Sequence, residues 1–144
     1  MRSDLHNSAY RVAIAPPSAA ITDNTPIVGD WIDRLSFEAI TFAILTGTLA
    51  DADATFGVLV EDANEADKSD AAAVPDSGLI SQTAGVAAEA AAGFTFADDK
   101  TTRKIGYVNG KRYVRLTVTP SGNSGNAPIA AVAHLSRATL RPVA

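Results

Sequence analysis

The sequence predicts an all-β fold, an antiparallel β-sandwich or jelly roll of about seven to nine short strands with an extended N-terminal arm. Three observations carry this expectation. Apolar residues alternate with period two in short runs, as on strands with one wet face. Turn residues punctuate the chain at intervals of roughly 8–15 residues. No segment has the apolar stripe of an amphipathic helix, which an α/β fold needs between its strands. At 144 residues the chain is long enough for one domain with a real core. The expected division is an arm over 1–29 and a sandwich domain over 30–144.

In the arm, Tyr10 to Ala15 reads as one strand, broken by Pro16-Pro17, with Thr25-Pro26 breaking the chain again before Gly29. Such a segment rarely folds alone, so it is expected to be held by the domain or by a neighbouring chain. Asp30-Trp31-Ile32-Asp33-Arg34 leads into a core strand with Ile40, Phe42 and Ile44 on one face. Gly47 and Ala50 to Asp53 make a turn, and Phe56, Val58 and Val60 share a face of the next strand; the two strands read as a hairpin with a long loop. Glu61 to Gly78 is an acidic connection of 18 residues, longer than most loops of a compact domain and therefore functional, mobile or partly helical. Leu79 to Gln82 is a weak strand. Ala84 to Ala92 is helical by composition but has no apolar stripe, and reads as loop or strand. Phe94 to Phe96 is a short strand and Asp98 to Lys100 a turn.

Thr102 to Pro120 carries the strongest hairpin signal. Ile105 to Val108 and Tyr113 to Thr119 flank Asn109-Gly110, the pair best suited to the positive-φ positions of a type I′ turn. Val114, Leu116 and Val118 face one way, and Pro120 should end the strand. Tyr107 and Tyr113 would pair across the turn. Ser121 to Asn126 reads as a flexible turn without a core residue. Ile129, Ala131, Ala133 and Leu135 share a face of the last strand, and a basic tail follows, where Pro142 forbids a central strand.

Composition narrows the role. There is no cysteine, hence no disulfide and no thiolate metal site. No run of 18 apolar residues spans a membrane, and the start lacks the basic and apolar regions of a signal peptide, so the cell interior or a particle assembled there is expected. Alanine, at 28 residues, favours helix, yet small residues also let flat surfaces approach closely. Residues 51–99 hold eleven acids against Lys68, and residues 100–144 hold eight bases and no acid. Either the two segments neighbour and neutralise each other, or they form opposite patches suited to contacts between copies. With net charge −4 and few aromatics, no specific nucleic-acid binding is expected.

No catalytic constellation is expected. His6 lies in the arm, and His134 alternates with buried-pattern residues, so it faces solvent or an interface. Asp51-Ala52-Asp53 fails the calcium-loop pattern at its fifth and sixth places, and Glu61, Asp62, Glu65 and Asp67 read as a solvated loop. No nucleophile elbow or phosphate-binding loop occurs. Thus no catalytic, metal or cofactor residue is assigned, and no cofactor is expected. The candidate contact residues are Tyr10, Arg11, Val12 and Ile14 in the arm, Trp31, then Lys111, Arg112 and Arg115, and Arg137 and Arg141 in the tail.

Asp30-Trp31-Ile32-Asp33-Arg34, Ser36-Phe37-Glu38, the run Thr46 to Phe56, Phe94 to Asp99, Arg103 to Tyr107 and Lys111 to Pro120 resemble a small protein encoded among the structural genes of tailed bacteriophages and prophages. The likeness spans about residues 30–142. It implies a virion structural protein without catalytic residues. A capsid decoration, or cement, protein fits best. It would be assembled in the host cytoplasm, sit on the capsid surface, and bind the major capsid protein and copies of itself, with a trimer among the arrangements. The alternatives are a neck or tail component, such as a head-completion or tail-terminator ring, and a receptor- or carbohydrate-binding β-module.

Overall fold

A computed structural model describes residues 9–15 and 21–139. The expected Pro16-Pro17 break, His6, Arg141 and Pro142 lie outside those residues. The fold is all-β, and the described residues form eleven strands in two antiparallel sheets. They are β1 (Tyr10–Ile14), β2 (Ile27–Val28), β3 (Ile32–Asp33), β4 (Phe37–Thr46), β5 (Thr55–Ala63), β6 (Ala72–Ala73), β7 (Leu79–Ser81), β8 (Phe94–Thr95), β9 (Thr102–Tyr107), β10 (Tyr113–Ser121) and β11 (Ile129–Ala138). The first sheet runs β1-β11-β4-β9-β7 and the second β2-β10-β5-β6, with β3 added to β10 and β8 to β5.

This order is a jelly roll. Strands β1, β11, β4 and β9 oppose β2, β10, β5 and β6, and the chain alternates between sheets at nearly every step. The alternating faces do what the sequence predicts. Ile40, Phe42 and Ile44 of β4, Phe56, Val58 and Val60 of β5, Val114, Leu116 and Val118 of β10, and Ile129, Ala131, Ala133 and Leu135 of β11 all point into one inter-sheet core.

The two hairpins do not form. β4 and β5 lie in different sheets, and so do β9 and β10. β9 pairs instead with β4 (Phe42↔Ile105) and β7 (Leu79↔Tyr107), and β10 with β5 (Leu116↔Val60). Positive φ is adopted at Ser36, Lys68, Lys100, Arg137, Gly85 and Gly122, and not at Asn109 or Gly110, so no type I′ turn exists there. A link that passes from one sheet to the other does not need the tight reversal that this turn supplies. Consequently Tyr107 and Tyr113 do not pair: Tyr107 is fully buried and Tyr113 lies beneath Lys68.

β10 also continues through Pro120 to Ser121 instead of stopping. The Leu116 carbonyl accepts the Gly29 N–H on the β2 side (2.9 Å), and period two puts Pro120 on that same side, past the end of β2. The missing N–H is therefore never asked for. Ala84 to Ala92 holds a short helix, α1 (Ala88–Ala92), whose Ala88 and Ala92 are buried where it packs on β5, β7 and β9. Its stripe is two alanines one turn apart, too small to register as an apolar face. Glu89 reaches from it to accept the Val60 N–H (2.7 Å). Phe96–Asp98 is a 3-10 turn closed by a Thr95–Asp98 capping box, so β8 stops at Thr95. The Ser121 to Asn126 turn does carry a buried residue, Asn123, whose amide donates to the Asp23 carbonyl (3.2 Å).

The described part of the arm is built into both sheets. β1 is the outer strand of the first sheet, and β2 pairs with β10 in the second. A bulge after Val12 turns both Ala13 and Ile14 inward. At Gly29 the sheet edges meet: its N–H binds the Leu116 carbonyl and the next N–H, of Asp30, binds the Ala13 carbonyl, both at 2.9 Å. A Cβ at Gly29 would stand 2.4 Å from the Ala13 oxygen and 2.6 Å from the Leu116 oxygen, so only glycine fits.

Candidate interaction surface

The acidic and basic segments neighbour each other. Arg115 donates from Nε (3.1 Å) and Nη2 (2.7 Å) to Glu61 directly opposite on β5, and its guanidinium lies 4.6 Å over the Trp31 ring. Arg103 pairs with Asp98 at 2.7 Å. Arg112 makes a two-pronged contact with Asp33 (3.0 and 2.7 Å), and that contact holds the Asp33 carboxyl below its ordinary value and the Arg112 guanidinium above its own. Charge sorted along the sequence is thus substantially paired within the fold.

Lys111 belongs to the most enclosed of these groups. Its Nζ sits 3.1 Å from Asp62 Oδ1 and 3.7 Å from Asp70. Asp62 is 2% exposed. Its other oxygen accepts from Asn109 Nδ2 (2.8 Å) and the Tyr107 hydroxyl (3.1 Å), which itself accepts the Lys111 N–H (3.2 Å). Burial, with Asp62 beside it, pushes the Tyr107 hydroxyl well above its ordinary pKa, so it stays a donor. This network ties the β9–β10 link to β5. Asp62 was expected in a solvated loop, but β5 runs to Ala63 and its alternation carries Asp62 inward after Val60. The connection that follows is short and folded: Asp70 accepts the Asn64 and Glu65 N–H groups (2.9 and 3.0 Å), and β6 pairs with β5.

The candidate contact residues do not converge. Tyr10 and Val12 are about half exposed on the first sheet, with Arg11 beside them at its edge. Ile14 is buried in the core and cannot be a surface contact, because the bulge turns it inward. Trp31, Lys111, Arg112 and Arg115 surround one end of the second sheet and are occupied by the pairs above. Arg137 is exposed at the far end of β11 and pairs with Glu38 at 3.1 Å. Arg141 lies outside the described residues.

What sequence reasoning missed is a continuous surface. The outward residues of the first sheet form cross-strand rows. One row reads Tyr10, His134, Thr41, Gly106, Ile80 across all five strands, and the next reads Val12, Val132, Ala43, Lys104. The Tyr10 and His134 rings are in tilted contact at 4.8 Å. Toward the other end of that row a shallow recess is lined by Thr41, Ile80, Gln82 and Lys104, with Ile80 packed over the buried Gly106. Among the described residues Lys104 is the one charged side chain within the face, and the Glu38–Arg137 pair closes one end. The signal was present in the sequence: the outward positions of β4 and β11 carry alanine, threonine, valine, leucine, serine and one histidine instead of the charges expected on a wet face.

Among the described residues no group of three or more His, Asp or Glu side chains is placed to hold a metal ion, and no helix is long and apolar enough to cross a membrane. Fold and surface together define an all-β jelly roll whose second sheet carries its charged pairs at one end and whose first sheet presents, among the described residues, a nearly uncharged outer face. No protein-family model and no curated protein matches this chain.

Proposed function

We propose that this chain is a bacteriophage virion structural protein, a capsid decoration protein that works by adhesion. The observation that carries the reading is the outer face of the first sheet, apolar and nearly uncharged among the described residues. Sheet faces of that kind are binding surfaces more often than ordinary wet surface. The jelly-roll winding supports the same reading by analogy, since it recurs in capsid domains. The likeness in Asp30 to Arg34 and Lys111 to Pro120 points the same way. In this role the charged pairs keep the body rigid, and apolar contact bridges neighbouring subunits of the shell.

Copy number tests it. On a gel of purified particles of the phage that encodes this chain, its band is expected at hundreds of copies, comparable to the major capsid protein. Six or twelve copies would place it in a neck or tail ring instead, and absence from particles would end the virion reading.

A further inference from the structure

Asn109-Gly110 forms no type I′ turn, but the pair has a second chemistry. Of the six asparagines in the chain, Asn109 is the only one followed by glycine. The amide carbon of an asparagine side chain lies within reach of the next residue's backbone nitrogen. Glycine, without a Cβ, lets that nitrogen close on it. We infer that Asn109 is a self-modification site: its amide is lost spontaneously in the folded chain, and the carboxylate that replaces it drives the β9–β10 link off the buried Asp62.

The attacking group is free. Gly110 is exposed, and among the described residues its N–H has no hydrogen-bond partner. Asn109 Oδ1 is also unengaged there, and the side chain is held through Nδ2 alone, by the 2.8 Å bond to Asp62. In the reaction the Gly110 nitrogen bonds to Asn109 Cγ. Its proton passes through water to Nδ2, and the Cγ–Nδ2 bond breaks with loss of ammonia. The cyclic imide that results takes up one water at either carbonyl and opens to aspartate or to its β-linked isomer. No oxidant, metal or cofactor enters. The other described asparagines are differently placed. Asn64 accepts the Arg112 N–H (3.3 Å), Asn24 accepts the Asn123 N–H (2.8 Å), and Asn123 is buried.

The location turns this chemistry into a structural change. Asn109 Nδ2 is one of two donors on Asp62 Oδ2, the other being the Tyr107 hydroxyl at 3.1 Å. Exchanging the amide for a carboxylate removes a donor and sets a second negative charge at hydrogen-bond distance from an almost fully buried one. Lys111 is the ammonium in contact with this group, and it is already shared between Asp62 (3.1 Å) and Asp70 (3.7 Å). Three acids would then face one cation. The β-linked product also adds a methylene to the backbone where room is short, since a Cβ at Gly78 would stand 2.8 Å from the Asn109 Cβ. Either product pushes the link away from β5, so the chain carries a slow, one-way loosening in its own sequence.

Incubation of the folded full chain in mildly alkaline buffer, followed by isoelectric focusing and peptide mapping, tests this. An acidic form changed at residue 109 is expected to accumulate. Gly110→Ala should slow its appearance at least roughly 10-fold, because a Cβ shields the attacking nitrogen. That variant keeps the fold, since a Cβ at Gly110 meets nothing within 4 Å and φ there is not positive. Asn109→Asp measures the consequence. Its unfolding equilibrium constant in urea should rise roughly 10-fold or more, and adding Asp62→Asn should reverse most of that by returning one amide to the pair. Asn109→Ala, which removes the donor without adding charge, should cost less. No acidic form at residue 109, an acidic form undiminished in Gly110→Ala, or an Asn109→Asp chain no less stable than Asn109→Ala would each overturn the inference.

Discussion

Asp62 is a carboxylate with almost no access to water, held by an ammonium, an amide and a phenol. A buried charge of this kind adds little net stability, but removing one partner strands the others. Asp62→Ala leaves Lys111 only its longer carboxylate contact, with Asp70 (3.7 Å), and the Tyr107 hydroxyl only the Lys111 carbonyl (3.3 Å), and should lower the unfolding free energy by about 3 kcal/mol, read from urea denaturation. Replacing Asp62 and Lys111 together by apolar residues should recover much of that loss. At this scale the sequence was partly legible. The inward alternation of Phe56, Val58 and Val60 extends to Asp62 without a break, yet a run of acids signals solvent, and that compositional signal masked the periodic one. Ile14 failed for the opposite reason. Its apolar, arm-like setting read as a contact, while the bulge that buries it leaves no mark in the residue types.

At the scale of elements, strand existence and facing were legible because a half-buried strand must alternate. Sheet membership was not. Alternation specifies the buried face of β9 and β10 equally well whether they lie beside each other or across the core. Asn109-Gly110 suggested the first, and the jelly-roll winding imposes the second. The same winding places β1 at the far edge from its sequence neighbours, joined to the second sheet at Gly29. Gly29→Ala forces a methyl against two carbonyl oxygens and should cost about 1–3 kcal/mol. The methyl presses on both β1 and β10, but β1 is an edge strand with one neighbour while β10 is held between β2 and β5, so the Leu135 N–H, which donates to Ala9 (2.6 Å), should exchange with solvent faster while the β10–β5 amides stay protected. Equal loss of protection in both sheets would contradict this account of the edge.

On the scale of the whole molecule, the charge polarity of the sequence resolves into pairs across β5, β10 and their loops, and the nearly uncharged described surface lies on the other sheet. The sequence showed the charges and the abundance of small residues, but only the strand order β1-β11-β4-β9-β7 gathers Tyr10, Val132, Leu45 and Ile80 onto one surface from four separated segments. A protein built this way would work by holding subunits together. The proposed decoration role is tested most directly by the temperature at which shells open, followed by light scattering, for particles of a phage encoding this chain from which the chain has been deleted and for the same particles after the purified chain is added back. The account predicts that the added chain is retained and raises the opening temperature. Shells that open at the same temperature and do not retain the chain would contradict it.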